Sequence, residues 1–132
     1  MSIDPQITAD TGCAERVAAE QGTIDKVVAV MVAELDKQGL SGLLQNPEVL
    51  LTSYELRRDP YDGSEGLHAE WRNGRGQRLG GLQLHGSGQV FAEFDVVQAH
   101  PTDSRWFIEA VSAWGNPDNL KSELRLLPSV GA

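Results

Sequence analysis

The chain has 132 residues, 19 of them acidic and 11 basic, and a net charge of −8 with histidine neutral. This length fits one domain whose core is large enough to need no disulfide or metal. The acidic balance repels phosphate backbones and anionic lipid surfaces, so we expect neither a nucleic-acid nor a membrane partner.

The single cysteine and the first residues bear on location. Cys13 cannot form an internal disulfide, and one thiol cannot build a zinc site, which fits a reducing cytosol. Asp4 and Pro5 stand where a signal peptide would carry a basic and then an apolar run. We therefore expect a cytoplasmic protein with no cofactor and no metal, and a Cys13 thiol near the surface.

Residues 1–12 contain few bulky apolar side chains, and we interpret them as a flexible leader. No internal repeat or composition shift divides the rest, so residues 13–132 are expected to form a single α+β domain.

The main helix is predicted at residues 24–38. Helix formers also fill residues 13–21, but Gly22 is expected to break that run, with Thr23 capping the next helix. One stripe at helical spacing carries the apolar residues Ile24, Val27, Val28, Met31 and Leu35. Gly39 is expected to end the helix.

From residue 51 the hydrophobic period becomes strand-like. Alternation predicts strands at 51–58, 67–72, 77–84, 89–97 and 120–127. Asn73-Gly74 is a strong hairpin signal because both residues accept positive φ, and residues 85–88 form a second turn. Gly80 and Gly81 indicate a bulge or the close approach of another segment.

Residues 104–114 fit a helical stripe and one face of a strand, and we favour the helix. If the segment is instead a strand, the sheet gains a sixth member. The predicted fold is an α+β two-layer sandwich, with a five- to six-stranded antiparallel meander sheet covered by a long N-terminal helix.

The first candidate site is the polar face of the sheet. Alternation places His68 and Glu70 on one strand, Glu93 and Asp95 on another, and His85 at the end of the strand between them. Cross-strand neighbours stand about 5 Å apart, so such a cluster could hold zinc or iron or perform acid–base chemistry. The alternative is a solvated face whose charges keep the sheet soluble.

The second candidate site is the arginine group Arg72, Arg75 and Arg78, which flanks the Asn-Gly turn. Three guanidinium groups near one hairpin tip could bind a phosphate or a carboxylate. Alternatively, they form a charged edge that discourages aggregation, or they dock against the protein's own acidic loop at 59–65.

The third candidate is an aromatic group, Trp106, Phe107 and Trp114. If these side chains are exposed they form an interface or a ligand stack, and if they are buried they belong to the core.

No motif commits the chain to a reaction, so its catalytic residues are unknown. The run GRGQRLGG lacks the dinucleotide fingerprint, and Ser87 lies in a hairpin turn rather than a nucleophile elbow. Our first hypothesis is a protein-binding or accessory module that forms a homodimer. The alternative is a small metal- or ligand-binding enzyme that uses the polar-face cluster, and a third hypothesis is an anion-binding regulatory domain.

Overall fold

The structure, a computed structural model, describes residues 5–129, with side chains from residue 12 onward. Its elements are α1 Pro5–Lys37, β1 Leu50–Arg58, β2 Glu65–Arg72, β3 Arg78–Leu84, β4 Val90–Ala99, β5 Trp106–Asn116 and β6 Asn119–Pro128. The six strands form one antiparallel sheet in chain order, and α1 packs on one face of it. This confirms the predicted α+β two-layer sandwich.

The core lies between α1 and the face of the sheet that we call inner. The predicted helical stripe supplies one side of it, since Ile24, Val27, Met31 and Leu35 are all buried. Alternate residues of the strands supply the other side, including Leu67, Ala69, Trp71, Leu82, Leu84, Ala92, Phe94 and Val111. Burial of each large side chain contributes about 1.5–3 kcal/mol. Trp71 and Phe94 meet edge to face, with ring centroids 6.0 Å apart.

The sheet curves around the helix. α1 approaches β1 and β2 at one end of the sheet and β5 and β6 at the other. The opposite face, which we call outer, has no helix over it among residues 5–129. This leaves the predicted polar cluster on an uncovered surface.

The helix begins earlier than expected. α1 runs through Gly22 without a break and includes Pro5–Gly12 of the predicted leader, while residues 1–4 lie outside the described residues. Cys13 is buried rather than near the surface, and Val17 and Tyr54 pack beside the same core. Packing of Cys13 and Val17 against the core outweighs the cost of about 1 kcal/mol for a helical glycine. Within residues 5–129, no helix is both long and apolar enough to cross a bilayer.

The segment for which we favoured a helix is a strand. β5 spans Trp106–Asn116 and pairs with β4 on one side and β6 on the other. Ile108 and Val111 are fully buried against the core. Both periodicities fitted the sequence, and ladder hydrogen bonds to two neighbouring strands decided between them.

The predicted hairpin between β2 and β3 is present, but the expected turn type is wrong. The Asn73 carbonyl accepts the Gly76 N–H at 3.0 Å, and Gly76 has a φ of 76°. Neither Asn73 nor Gly74 has a positive φ. The loop is therefore longer by one residue than a two-residue turn, with glycine in the left-handed position.

Candidate functional site

Two adjacent depressions on the outer face contain the predicted polar cluster. His68 and His85 line a pocket of about 270 Å³ between the ends of β1, β2 and β3. Glu93 and Asp95 line a neighbouring pocket of about 140 Å³, and Gln83 lines both. The cluster therefore divides into a histidine half and a carboxylate half.

His85 lies in the turn after β3 and reaches the acidic loop that follows β1. Its Nε2 is 2.9 Å from Asp59 Oδ2 and 3.7 Å from Asp62 Oδ2. Among the described side chains, Asp59, Asp62 and His85 form a group whose possible ligand atoms lie within 4.8 Å of one another. Our sequence interpretation missed both aspartates as partners, because a loop contact across strands leaves no periodic signal.

The hydrogen bonds of His85 indicate its tautomer. The Ser87 N–H donates to Nδ1 at 3.0 Å, so the neutral ring carries its proton on Nε2 and donates it to Asp59. That hydrogen bond is the leading cause that lowers the pKa of Asp59, and hydrogen bonds from Ser64 lower the pKa of Asp62. Both aspartates therefore remain ionised well below neutral pH.

His68 lies half-buried in the middle of β2, opposite Glu55 and Gln83. Its pKa is lowered, first by burial and then by the nearby Arg57 guanidinium. The lowered pKa favours the neutral form of this imidazole. It lines the same pocket as His85 but is not part of the Asp59/Asp62/His85 group.

The carboxylate half of the cluster is partly neutralised by β6. Arg125 Nη2 lies 2.7 Å from Glu93 Oε2, and its Nη1 lies 3.6 Å from Glu109 Oε2. Burial, followed by the charge of Glu93, raises the pKa of Asp95. Glu93 and Glu109 therefore form a network with Arg125 rather than a ligand set with the histidines.

Two of the three arginines, Arg72 and Arg78, pair with Glu70, a predicted member of the histidine cluster. Arg72 binds one oxygen of Glu70, and Arg78 Nε lies 3.4 Å from the other. Arg72 also donates to the Gly76 carbonyl at 2.6 Å. Arg75 points elsewhere and lines a shallow pocket with Glu48. The acidic loop therefore pairs with His85 and not with these arginines.

The aromatic group is spread over β5. Trp106, Phe107 and Trp114 are all half-buried. Trp114 pairs with Phe91 across β4, whereas Phe107 pairs with Leu127 at the end of β6. Trp114 and Phe107 therefore lie near opposite ends of β5 and do not form one aromatic cluster.

The two edges of the sheet differ. The pairing of β1 shifts between Thr52 and Glu55, where Ser53 has a φ of 57°, and such a bulge disfavours pairing with another strand. β6 forms the other edge of the sheet, and none of its ten residues has a positive φ. Leu126 and Leu127 near its end are 38% and 43% exposed. The register of the β5–β6 pair shifts between Ile108 and Ala110, but the extra residue lies on β5, so β6 itself is an unbulged edge strand with exposed apolar side chains.

Comparisons of this chain with family models, curated proteins and solved structures found no match. The functional argument consequently rests on the geometry of these surfaces.

Proposed function

We propose that this protein is a protein-binding module that self-associates through the open edge of β6. The observation that carries the proposal is an uninterrupted edge strand with Leu126 and Leu127 exposed at its end. Unpaired N–H and C=O groups along such an edge form hydrogen bonds with an added strand. Exposed leucines beside that edge gain free energy when a partner covers them.

The edge of β6 lacks the backbone bulge that protects β1, although it carries the charged side chains Lys121, Glu123 and Arg125. Natural sheets protect their edges with bulges, with charged side chains and proline, with inward-pointing charges or with very short strands. β1 is bulged at Ser53, whereas β6 has no bulge over its ten residues. The proline of β6, Pro128, is its final residue and leaves the N–H groups of the other nine residues in place. The difference between the two edges indicates that β6 is the one that meets a partner.

The proposal is tested by sedimentation equilibrium on the full chain over a range of concentrations. We expect a reversible dimer for the wild type and at least a tenfold weaker association for the double variant Leu126→Lys/Leu127→Lys. Leu50→Lys is the matched control, because Leu50 lies on the opposite edge strand and is 62% exposed. A wild type that stays monomeric at millimolar concentration, or equal weakening by Leu50→Lys, would refute the proposal.

The Asp59/Asp62/His85 group supports a second candidate function, the binding of a divalent metal ion. Two carboxylates and an imidazole are ligands that zinc and manganese accept. With a metal bound at Nε2, the neutral His85 ring would carry its proton on Nδ1 instead, and this N–H would donate a hydrogen bond to Ser87 Oγ, 2.8 Å away. The competing explanation is that the group only fastens the acidic loop to the turn after β3.

Calorimetric titration with zinc distinguishes these explanations. Metal binding requires a saturable site that His85→Ala abolishes and that His100→Ala leaves intact, since His100 hydrogen-bonds Gln38 elsewhere. If zinc does not bind to the folded wild type, the group has a structural role alone.

A further inference from the structure

The geometry of β6 points to one register for its self-association: we propose that two copies pair antiparallel with the two-fold axis at Leu124, which joins the sheets into one of twelve strands. This inference rests on the proposed function and specifies its partner and contact. Symmetry, charge and strand length together select this register.

Symmetry limits the choice of register. Two antiparallel copies of one strand are related by an axis perpendicular to the sheet, which leaves both helices on the same side. Residues directly opposite each other must point to the same face, so the axis passes through a residue that opposes its own copy. Each possible register is therefore specified by the one residue of β6 that lies opposite its own copy.

Charge repulsion excludes a two-fold axis at Glu123 or at Arg125, the odd-numbered residues in the middle of the strand. The outer-face side chains of β6 are Lys121, Glu123, Arg125 and Leu127. An axis at Glu123 places this residue against its own copy and Lys121 against Arg125, so every charged side chain of the strand would oppose a like charge. An axis at Arg125 sets two guanidinium groups against each other. Like charges directly opposite each other destabilise a strand pair.

Strand length decides among the even-numbered positions. An axis at Ser122 leaves Leu126 and Leu127 beyond the paired segment, and an axis at Leu126 pairs only the last residues of the strand. An axis at Leu124 pairs residues 120–128. It places Glu123 of each copy opposite Arg125 of the other and covers both exposed leucines.

This register also matches the surroundings of the leucines. Leu127 would oppose Lys121 of the second copy, whose aliphatic stem can lie over it while the ammonium stays in water. Leu126 would oppose Ser122 on the inner face, where Ser122 Oγ already donates to Glu34 of α1 at 3.3 Å. The helices of the two copies would then flank the axis on one side of the joined sheet.

Disulfide cross-linking of the full chain tests the register. In Leu124→Cys the two thiols would face each other across the axis, with Cα atoms about 5 Å apart. In Lys121→Cys they would lie about 20 Å apart along the strands. Under mild diamide oxidation we expect more than half of Leu124→Cys to form a covalent dimer, and less than a tenth of Lys121→Cys. Wild type under the same oxidant controls for Cys13, which is buried.

A charge variant keeps the test informative if Leu124→Cys does not fold. Glu123→Arg would set an arginine opposite Arg125 and should raise the dimer Kd at least tenfold. Glu15→Arg makes the same change in net charge on the exposed side of α1 and should not raise it. A wild-type dimer that neither cross-links through Leu124→Cys nor responds to Glu123→Arg would overturn this register and leave the proposed self-association standing. Absence of any dimer would overturn both.

Discussion

At the scale of single residues, two neighbouring glycines in β3 have different roles. A Cβ on Gly80 would lie 2.2 Å from the Glu93 carbonyl oxygen, so backbone would have to move. A Cβ on Gly81 would lie 2.7 Å from Arg78 Nη2, the end of a flexible side chain. The close approach that the two glycines predicted is therefore present: the backbone of β4 approaches Gly80, and the Arg78 side chain approaches Gly81.

We expect Gly80→Ala to lower the free energy of unfolding by about 3 kcal/mol, the upper range for overpacking. Gly81→Ala should cost about 1 kcal/mol or less, because Arg78 can shift away. Urea unfolding of the two variants measures the difference. Equal losses would show that the strands separate more easily than their geometry implies.

The loop before β5 contains a strongly acidic carboxyl. The Asp103 carboxylate accepts two hydrogen bonds from Arg105, from Nε at 3.0 Å and from Nη2 at 2.8 Å. These hydrogen bonds are the leading cause that lowers the pKa of Asp103 from 3.8 to about 2. Its contribution to stability is present above the unfolded-state pKa and is lost as the pH falls through the folded-state pKa.

We accordingly expect Asp103→Asn to unfold at a lower temperature than wild type at pH 7. The gap should close as the pH falls from about 4 towards 2, where the wild-type carboxyl also loses its charge. Thermal unfolding followed by circular dichroism at several pH values measures this difference in unfolding temperature. Asp118→Asn is the control, since that side chain is 94% exposed and its ion-pair partner lies 3.8 Å away. A gap that is constant with pH would contradict the charge explanation.

Residue identity indicated the members of the candidate site but not their grouping. Alternation correctly placed His68 and Gln83 on one face, since they pair directly across β2 and β3. It did not reveal that Glu70 would bind two arginines, or that His85 would turn towards Asp59. Those contacts depend on loop conformation and strand register, which spacing does not encode.

At the scale of elements, α1 shows how packing overrides a local helix breaker. Gly22 lies in the helix interior, and a Cβ there would meet nothing within 4 Å. The residue therefore reduces helix stability without a compensating contact. The predicted break at Gly22 is therefore wrong, because burial of Cys13 and Ile24 on either side keeps the helix continuous.

Gly22→Ala should raise the free energy of unfolding by about 0.5–1 kcal/mol. Gly88→Ala is the contrasting variant, because its surroundings are equally open but its φ is 98°. It should instead lower the free energy of unfolding by about 1 kcal/mol or more. Chemical denaturation of both variants checks the signs. Destabilisation by Gly22→Ala would indicate that the helix is bent or broken at that point.

At the scale of the whole molecule, the proposed dimer has a distinctive shape. A compact monomer of this length has a radius of gyration of about 14 Å, and a compact particle of two copies about 18 Å. Pairing through β6 places the two domains side by side along one sheet. We expect small-angle scattering at high concentration to give clearly more than 18 Å, whereas a dimer stacked through the outer faces would stay near that value.

The sequence by itself determined the layer architecture, the stripe of α1 that enters the core and the alternation of most strands. Those features follow from local periodicity, because a buried face must repeat with the pitch of its element. Only the tertiary structure decided that Trp106–Asn116 is a strand, that α1 continues through Gly22 and that His85 meets Asp59 and Asp62. Each of these was settled by partners distant in sequence, whose hydrogen bonds and burial outweigh local preference.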